Sequence, residues 1–181
     1  MYGLVNRVIE DMVRQNYGDT TWQTIAEKAG VEDIHFVSLE PYPDEITYDL
    51  VGAASSVLSL SHEAVLEAIG EYWVLFTGRG TFPNLMAAAG GNLREFLGNL
   101  NNLHMRLGFS MPHLTPPSFN CTEDSPNVLR VHYYSFRTGL APMVVGLLIG
   151  LSKMFNESVE VRQDITRDDD HDHDEFTIRW I

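Results

Sequence analysis

Apolar residues recur at helical spacing through the first two-thirds of the chain. Over residues 2–16 they fall at Leu4, Val5, Val8, Ile9, Met12 and Val13, one stripe of a helix, with Gly18 as its stop. Asp19 or Thr20 caps a second helix to Lys28, with Gly30 just past its end. Residues 34–43, with two prolines, read as a connection. Asp44 opens a helix through Ser59, and Ser61 opens another to about Thr77. Gly78, Gly80 and Pro83 break the chain before a short helix over 83–89. From Leu93 to Leu107 the stripe is Leu93, Phe96, Leu97, Leu100, Leu103 and Leu107.

After Gly108 the period changes. Residues 128–136 are β-branched and aromatic and predict a strand, and residues 112–121 are placed to pair with it across TEDSPN. Leu140 to Phe155 is a buried helix, and 159–166 with 176–181 alternate as a hairpin joined by DDDHDHDE. The sum is an α+β chain: helices first, then a mostly antiparallel sheet with one helix packed on it. No internal repeat or linker interrupts it.

Two places carry chemistry. His104 lies inside the apolar stripe of its helix, four residues from Leu100 and three from Leu107. An apolar setting keeps imidazole neutral, and neutral imidazole is the form that ligates iron. A satisfied core histidine would leave the same pattern, so the residue permits a ligand and does not demand one. Tyr133, Ser135 and Arg137 follow a period of two. In a strand their side chains share a face, where a phenol, a hydroxyl and a guanidinium make a clamp for a carboxylate or phosphate. From the pattern alone, an ordinary strand with Tyr134 and Phe136 as its buried face is the favoured reading.

The residues then converge. The opening MYGLVN, the NNLHMRLG around His104, the PPSF segment, the Tyr133-x-Ser135-x-Arg137 motif and the GLAPMVVGLL after it resemble the H-NOX family. These are haem nitric-oxide and oxygen binding domains, related to the haem domain of soluble guanylate cyclase. The resemblance runs from Met1 to the final hairpin, and the order and spacing of the motifs carry it. It implies one domain over 1–181, with a helical distal lobe over about 1–60 and a proximal lobe over about 61–181. The proximal lobe would hold a four-stranded antiparallel sheet and one packed helix, and a single haem b would sit between the lobes.

His104 matches the family's iron ligand, and Tyr133, Ser135 and Arg137 match the residues that grip the haem propionates. Pro117 matches a proline that distorts the haem, with Pro116 as the alternative. Oxygen-binding members use a tyrosine at a place that aligns with Met143. Neither Met143 nor its neighbours Pro142 and Val144 can donate a hydrogen bond. Val5 and Leu147 are expected to line the same gas pocket. Trp73 carries an indole N–H that could donate there, or is simply a packing residue. The resemblance therefore implies a gas sensor and not an enzyme. It would bind nitric oxide and carbon monoxide, exclude oxygen, and signal when nitric oxide weakens the iron–His104 bond and the lobes shift. Because the chain ends with the domain, the output is expected through a separate protein, such as a histidine kinase or a cyclic-nucleotide or dinucleotide enzyme. A haem enzyme or oxygen-handling protein is the rival reading, and a haem carrier the third.

Composition narrows the partners. The 181 residues hold 12 Lys and Arg against 25 Asp and Glu, a net charge of −13. Such a surface repels nucleic-acid backbones and anionic membranes. Charges interrupt the first 20 residues, and the longest apolar run, 140–151, is too short to span a bilayer. A cytoplasmic protein is expected. Cys121, the one cysteine, excludes an internal disulfide and any multi-cysteine metal site, and would be redox-active only if exposed with a low pKa. Gly78-x-Gly80 lacks the strand and third glycine of a nucleotide fingerprint. His171 and His173, among five aspartates and a glutamate, read as a solvated turn. His35, His62, His113 and His132 show no partner pattern.

Overall fold

The computed structural model describes residues 1–77 and 83–181, and the Gly78-x-Gly80 break lies outside them. Helix α1 (Gly3–Tyr17) buries Leu4, Val8, Ile9, Met12 and Val13 on one stripe. Its first residue has to be glycine, because a Cβ on Gly3 would stand 2.2 Å from the Val37 carbonyl oxygen. Helix α2 (Asp19–Ala29) ends at Gly30, whose φ of 68° is the left-handed cap glycine adopts without strain. Helix α3 (Asp44–Leu58) follows Pro43, and α4 (His62–Phe76) is capped by the Ser61 hydroxyl, which accepts from the Ala64 N–H. These four helices close one apolar core around Ile9, Ile25, Leu50 and Ile69.

A second core lies under the sheet. Helix α5 (Pro83–Ala87) leads to α6 (Leu93–Gly108), where the Asn92 side chain caps the Glu95 N–H and buries Leu93, Phe96, Leu97 and Leu103. Strands β1 (Ser118–Ser125), β2 (Val128–Tyr134), β3 (Val159–Ile165) and β4 (Asp174–Trp180) form an antiparallel sheet in the order β1-β2-β4-β3. Helix α7 (Ala141–Met154) buries Val144, Leu148 and Leu151 in this core. The chain is α+β as its sequence predicts. Strand boundaries differ: β1 starts at Ser118 and not at 112, and β4 starts at Asp174 and not at 176. β1 runs on through Ser125, so the turn is only Pro126 and Asn127, with a bulge between Glu123 and Ser125. β2 stops at Tyr134, two residues before the expected end.

Helices α4 and α7 cross with backbones in contact, and they tie the two cores together. A Cβ on Gly146 would sit 2.0 Å from the Glu67 carbonyl oxygen, and one on Gly70 would sit 2.1 Å from that of Met143. Neither neighbour is a flexible side chain, so the helices must separate to admit a methyl group. Gly146→Ala is expected to lower the urea midpoint by the equivalent of about 1–3 kcal/mol. An unchanged midpoint would show that this crossing is loose.

Candidate functional site

The site is built where α6 meets the start of β1. Asn101 accepts the Phe119 N–H at 3.0 Å and donates to the Phe119 carbonyl at 2.7 Å, which staples the helix to the strand. One turn later on the same helix face, His104 Nδ1 lies 3.2 Å from the Pro117 carbonyl oxygen. A carbonyl only accepts, so Nδ1 carries the proton and the lone pair is on Nε2. The ring is half-buried beside Phe119, at 6.1 Å between centroids. Burial lowers the imidazole pKa below its ordinary value, with the Pro117 carbonyl opposing, so the ring is neutral near neutral pH. A neutral imidazole with an oriented Nε2 is a metal donor.

Tyr133 sits across the same phenylalanine, 5.3 Å from the Phe119 ring, and is buried with Phe176 on its far side. Burial raises the phenol pKa, with the Ser135 side chain opposing. Ser135 and Arg137 lie beyond the strand end, so strand alternation does not align the three residues as expected. They are gathered by the turn instead: the Ser135 hydroxyl accepts the Arg137 N–H at 3.1 Å. Phe136 is 65% exposed, which rules out the ordinary strand with Phe136 on a buried face.

The Arg137 guanidinium makes contacts that the motif did not announce. Nε and Nη2 donate to the two Asp44 oxygens at 2.7 and 3.3 Å, and Nη1 donates to the Thr115 carbonyl at 3.1 Å. Asp44 also pairs with the Met1 amine. Arg137 therefore bridges the end of β2 to the start of α3, and two of its five N–H groups remain for a further carboxylate. Arg167, from the β3–β4 connection, donates to the carbonyls of Ser135 and Arg137 and holds the turn from behind. Nothing in the local pattern singled out Asp44, Asn101 or Arg167.

Burial alone would raise the Asp44 carboxyl, but the Arg137 guanidinium and the Met1 ammonium outweigh it and hold the pKa below the usual range. A depressed carboxyl stabilises the fold above its unfolded value, about 3.9, and that stability is lost as pH falls through the folded value. Asp44→Asn is therefore expected to destabilise the protein by about 1 kcal/mol at pH 7, a value reduced by solvent screening. The gap between the urea midpoints of the two proteins should narrow steadily as pH falls below about 3.9. A gap that does not narrow would mean that the aspartate acts by shape and not by charge.

Trp73, on α4, and Met143, at the start of α7, are half-buried against the helical core. Val5 is half-buried on α1, and Leu147 packs on the second core. The Trp73 indole N–H has no hydrogen-bond partner among the described residues. Sequence reasoning missed Asn6: its carbonyl oxygen accepts from Thr47 at 2.7 Å, while its fully buried Nδ2 has no partner among the described residues. Cys121 is half-buried, and burial pushes its thiol up to about 11, so it meets neither condition for reactivity. His132 and His173 do not follow the sequence reading: His132 on β2 lies against His173, the half-buried residue just before β4, so His132 has a partner and His173 is drawn out of the solvated turn. His171 is exposed beside Asp168, as expected of the turn.

One oriented neutral imidazole, with a phenol, a hydroxyl and a partly committed guanidinium gathered across a single aromatic ring, fits a metalloporphyrin bearing carboxylates. With the α+β fold, this is the donor set that a haem-binding domain would need. A family model described as Haem-NO-binding matches residues 2–163. The chain is 31% identical over 156 residues to soluble guanylate cyclase gcy-32 of Caenorhabditis elegans, covering 84% of this chain and 23% of that protein. It is 32% identical over 152 residues to gcy-37 of the same organism, covering 82% and 21%. It thus spans less than a quarter of either relative. An H-NOX protein from S. oneidensis in the Fe(II) state superposes with a TM-score of 0.88 at 22% identity, over 100% of this chain and 96% of that one. An oxygen-binding H-NOX domain in its oxygen complex superposes at 0.83 and 21%, over 99% and 95%. At these identities the structural likeness is one of fold. The chain belongs to the haem-NO-binding family. No described helix is long and apolar enough to cross a membrane.

Proposed function

We propose that this chain is a haem-based gas sensor, with His104 Nε2 as the protein ligand of a haem b iron. The observation that carries the reading is the His104–Pro117 hydrogen bond, which leaves a neutral Nε2 as donor beside the Tyr133, Ser135 and Arg137 cluster. The haem supplies a ferrous iron that binds diatomic gases. Tyr133, Ser135 and Arg137 hold the propionates, and Pro117, which also orients the ligand ring, presses on the macrocycle.

The chain's own contacts supply a route for the signal. A displacement of His104 pulls on α6, which Asn101 ties to β1. Arg137 ties the adjoining turn to Asp44 at the head of α3, so the proximal and distal lobes have a fixed point about which to shift. Such a two-state element is what a partner reads. The domain performs no chemistry of its own, is cytoplasmic, and acts through a histidine kinase or cyclic-nucleotide or dinucleotide enzyme.

Gas choice rests on hydrogen bonding. Bound oxygen carries partial negative charge and is held by a donor, whereas carbon monoxide and nitric oxide depend on one far less. Val5, Met143 and Leu147 offer none. The reduced protein is expected to form stable complexes with carbon monoxide and nitric oxide and no lasting oxygen complex in air, read by absorption spectra. It should not turn over peroxide or nitric oxide at steady state. A persistent oxygen spectrum would overturn the exclusion, and its disappearance in Trp73→Phe would make the indole the donor. The buried Asn6 Nδ2, without a partner among the described residues, is the observation that favours the rival oxygen-handling reading.

A further inference from the structure

On the face of the sheet opposite Tyr133, three ligand atoms converge. His132 and Glu175 are directly paired across β2 and β4, and His173 lies two residues before Glu175 on the same face. His132 Nδ1 is 2.9 Å from His173 Nε2, His132 Nδ1 is 3.3 Å from Glu175 Oε1, and His173 Nε2 is 3.2 Å from the same oxygen. Metal–nitrogen and metal–oxygen bonds of about 2.0–2.1 Å put tetrahedral ligand atoms roughly 3.3–3.4 Å apart and adjacent octahedral ones about 2.9 Å apart. The observed triangle is one face of such a polyhedron.

The surrounding groups turn the lone pairs inward. His132 Nε2 lies 3.3 Å from the Thr122 hydroxyl, and His173 Nδ1 lies 2.5 Å from an Asp172 oxygen. With a proton on each of those outer nitrogens, Nδ1 of His132 and Nε2 of His173 face the shared point as acceptors. Arg130 donates to Glu175 Oε2 at 3.0 Å, which leaves Oε1 for the same point. Tyr134 stacks on the His173 ring at 4.3 Å and fixes its plane. Two nitrogens and a carboxylate oxygen this close need either a shared proton or a cation between them, and the outer hydrogen bonds favour the tautomers that leave room for a cation. The side chains are 13–18% exposed, so the point is reachable from solvent, and the Asp172 carboxylate lies at its edge against His173.

We propose that His132, His173 and Glu175 bind one divalent first-row transition metal, zinc foremost, which clips β2 to β4 behind the Tyr133–Arg137 turn. Imidazole nitrogens select zinc over the oxygen-seeking calcium and magnesium. Outer-sphere hydrogen bonds of the Thr122 and Asp172 kind orient the ligands. The site does not involve His104 and stands whether or not the haem assignment does.

The test uses the full chain, purified in chelator, desalted, and titrated with zinc by calorimetry, with zinc per chain then measured after gel filtration. One equivalent is expected. His132→Ala, His173→Ala and Glu175→Gln should each weaken uptake by more than about tenfold, since loss of a mere outer-sphere partner already costs that much. His171→Ala, in the exposed part of the same acidic connection, should bind as wild type. Zinc should raise the melting midpoint of wild type and His171→Ala only, and a large excess of calcium should not displace it. Glu175→Gln keeps shape and the strand pairing, so it reads ligation apart from folding. Absence of stoichiometric uptake, equal uptake in all four variants, or displacement by calcium would each overturn the proposal.

Discussion

His104→Gly is expected to be purified with little or no ferrous haem, and to recover it when imidazole is added. The side chain is held by one hydrogen bond to Pro117 and by packing on Phe119, and neither contact survives truncation. Loss of an outer-sphere partner costs a metal site roughly 10–100-fold in affinity, and loss of the ligand itself costs more. Free imidazole can fill the space and offer the same nitrogen, provided Pro117 and Asn101 still shape the cavity. Rescue therefore separates a missing ligand from a misfolded helix. A variant whose ferrous spectrum matches wild type without imidazole would remove His104 from the site.

Arg137→Ala is the second large effect. The guanidinium is 17% exposed, so its contacts lie between the buried and the fully wet limits. Truncation leaves Asp44 without its main partner and removes the guanidinium of the Tyr133, Ser135 and Arg137 cluster. Haem transfer to a scavenger protein should accelerate by about 5- to 150-fold, the rate equivalent of about 1–3 kcal/mol. Tyr133→Phe removes only a hydroxyl and should accelerate it less. Asp44→Asn divides the two roles of the arginine. If it speeds haem loss as much as Arg137→Ala, the arginine acts by bridging to α3. If it speeds it less, Arg137 also contacts the haem. Equal rates in wild type and in both Arg137→Ala and Tyr133→Phe would refute the clamp.

Much of this was legible in the chain. Helical periodicity located six of the helices within a few residues, because each buries one stripe against a common core. His104 in its leucine stripe permitted a ligand without demanding one, and only the match of NNLHMRLG to the family motif made it the candidate. Strand ends were less legible: the 128–136 run is uniformly β-prone, and only the turn closed by the Ser135 hydroxyl and Arg167 stops it at Tyr134. Long-range partners left no local trace. Asp44 is 93 residues from Arg137, and His132 is 41 from His173. Each pair depends on register and topology, which spacing along one segment cannot encode. The same holds for the α4–α7 crossing, where nothing along either helix marks Gly70 and Gly146 as the points at which the two backbones meet.

The central claim is that His104 is the iron ligand and that nitric oxide is read through it. Resonance Raman spectroscopy of the reduced protein, before and after one equivalent of nitric oxide, tests it most directly. An iron–imidazole stretch is predicted in the reduced wild type and absent from His104→Gly, and it should disappear when nitric oxide binds. A stretch that is missing from the reduced wild type, or that survives with nitric oxide bound, would contradict the account.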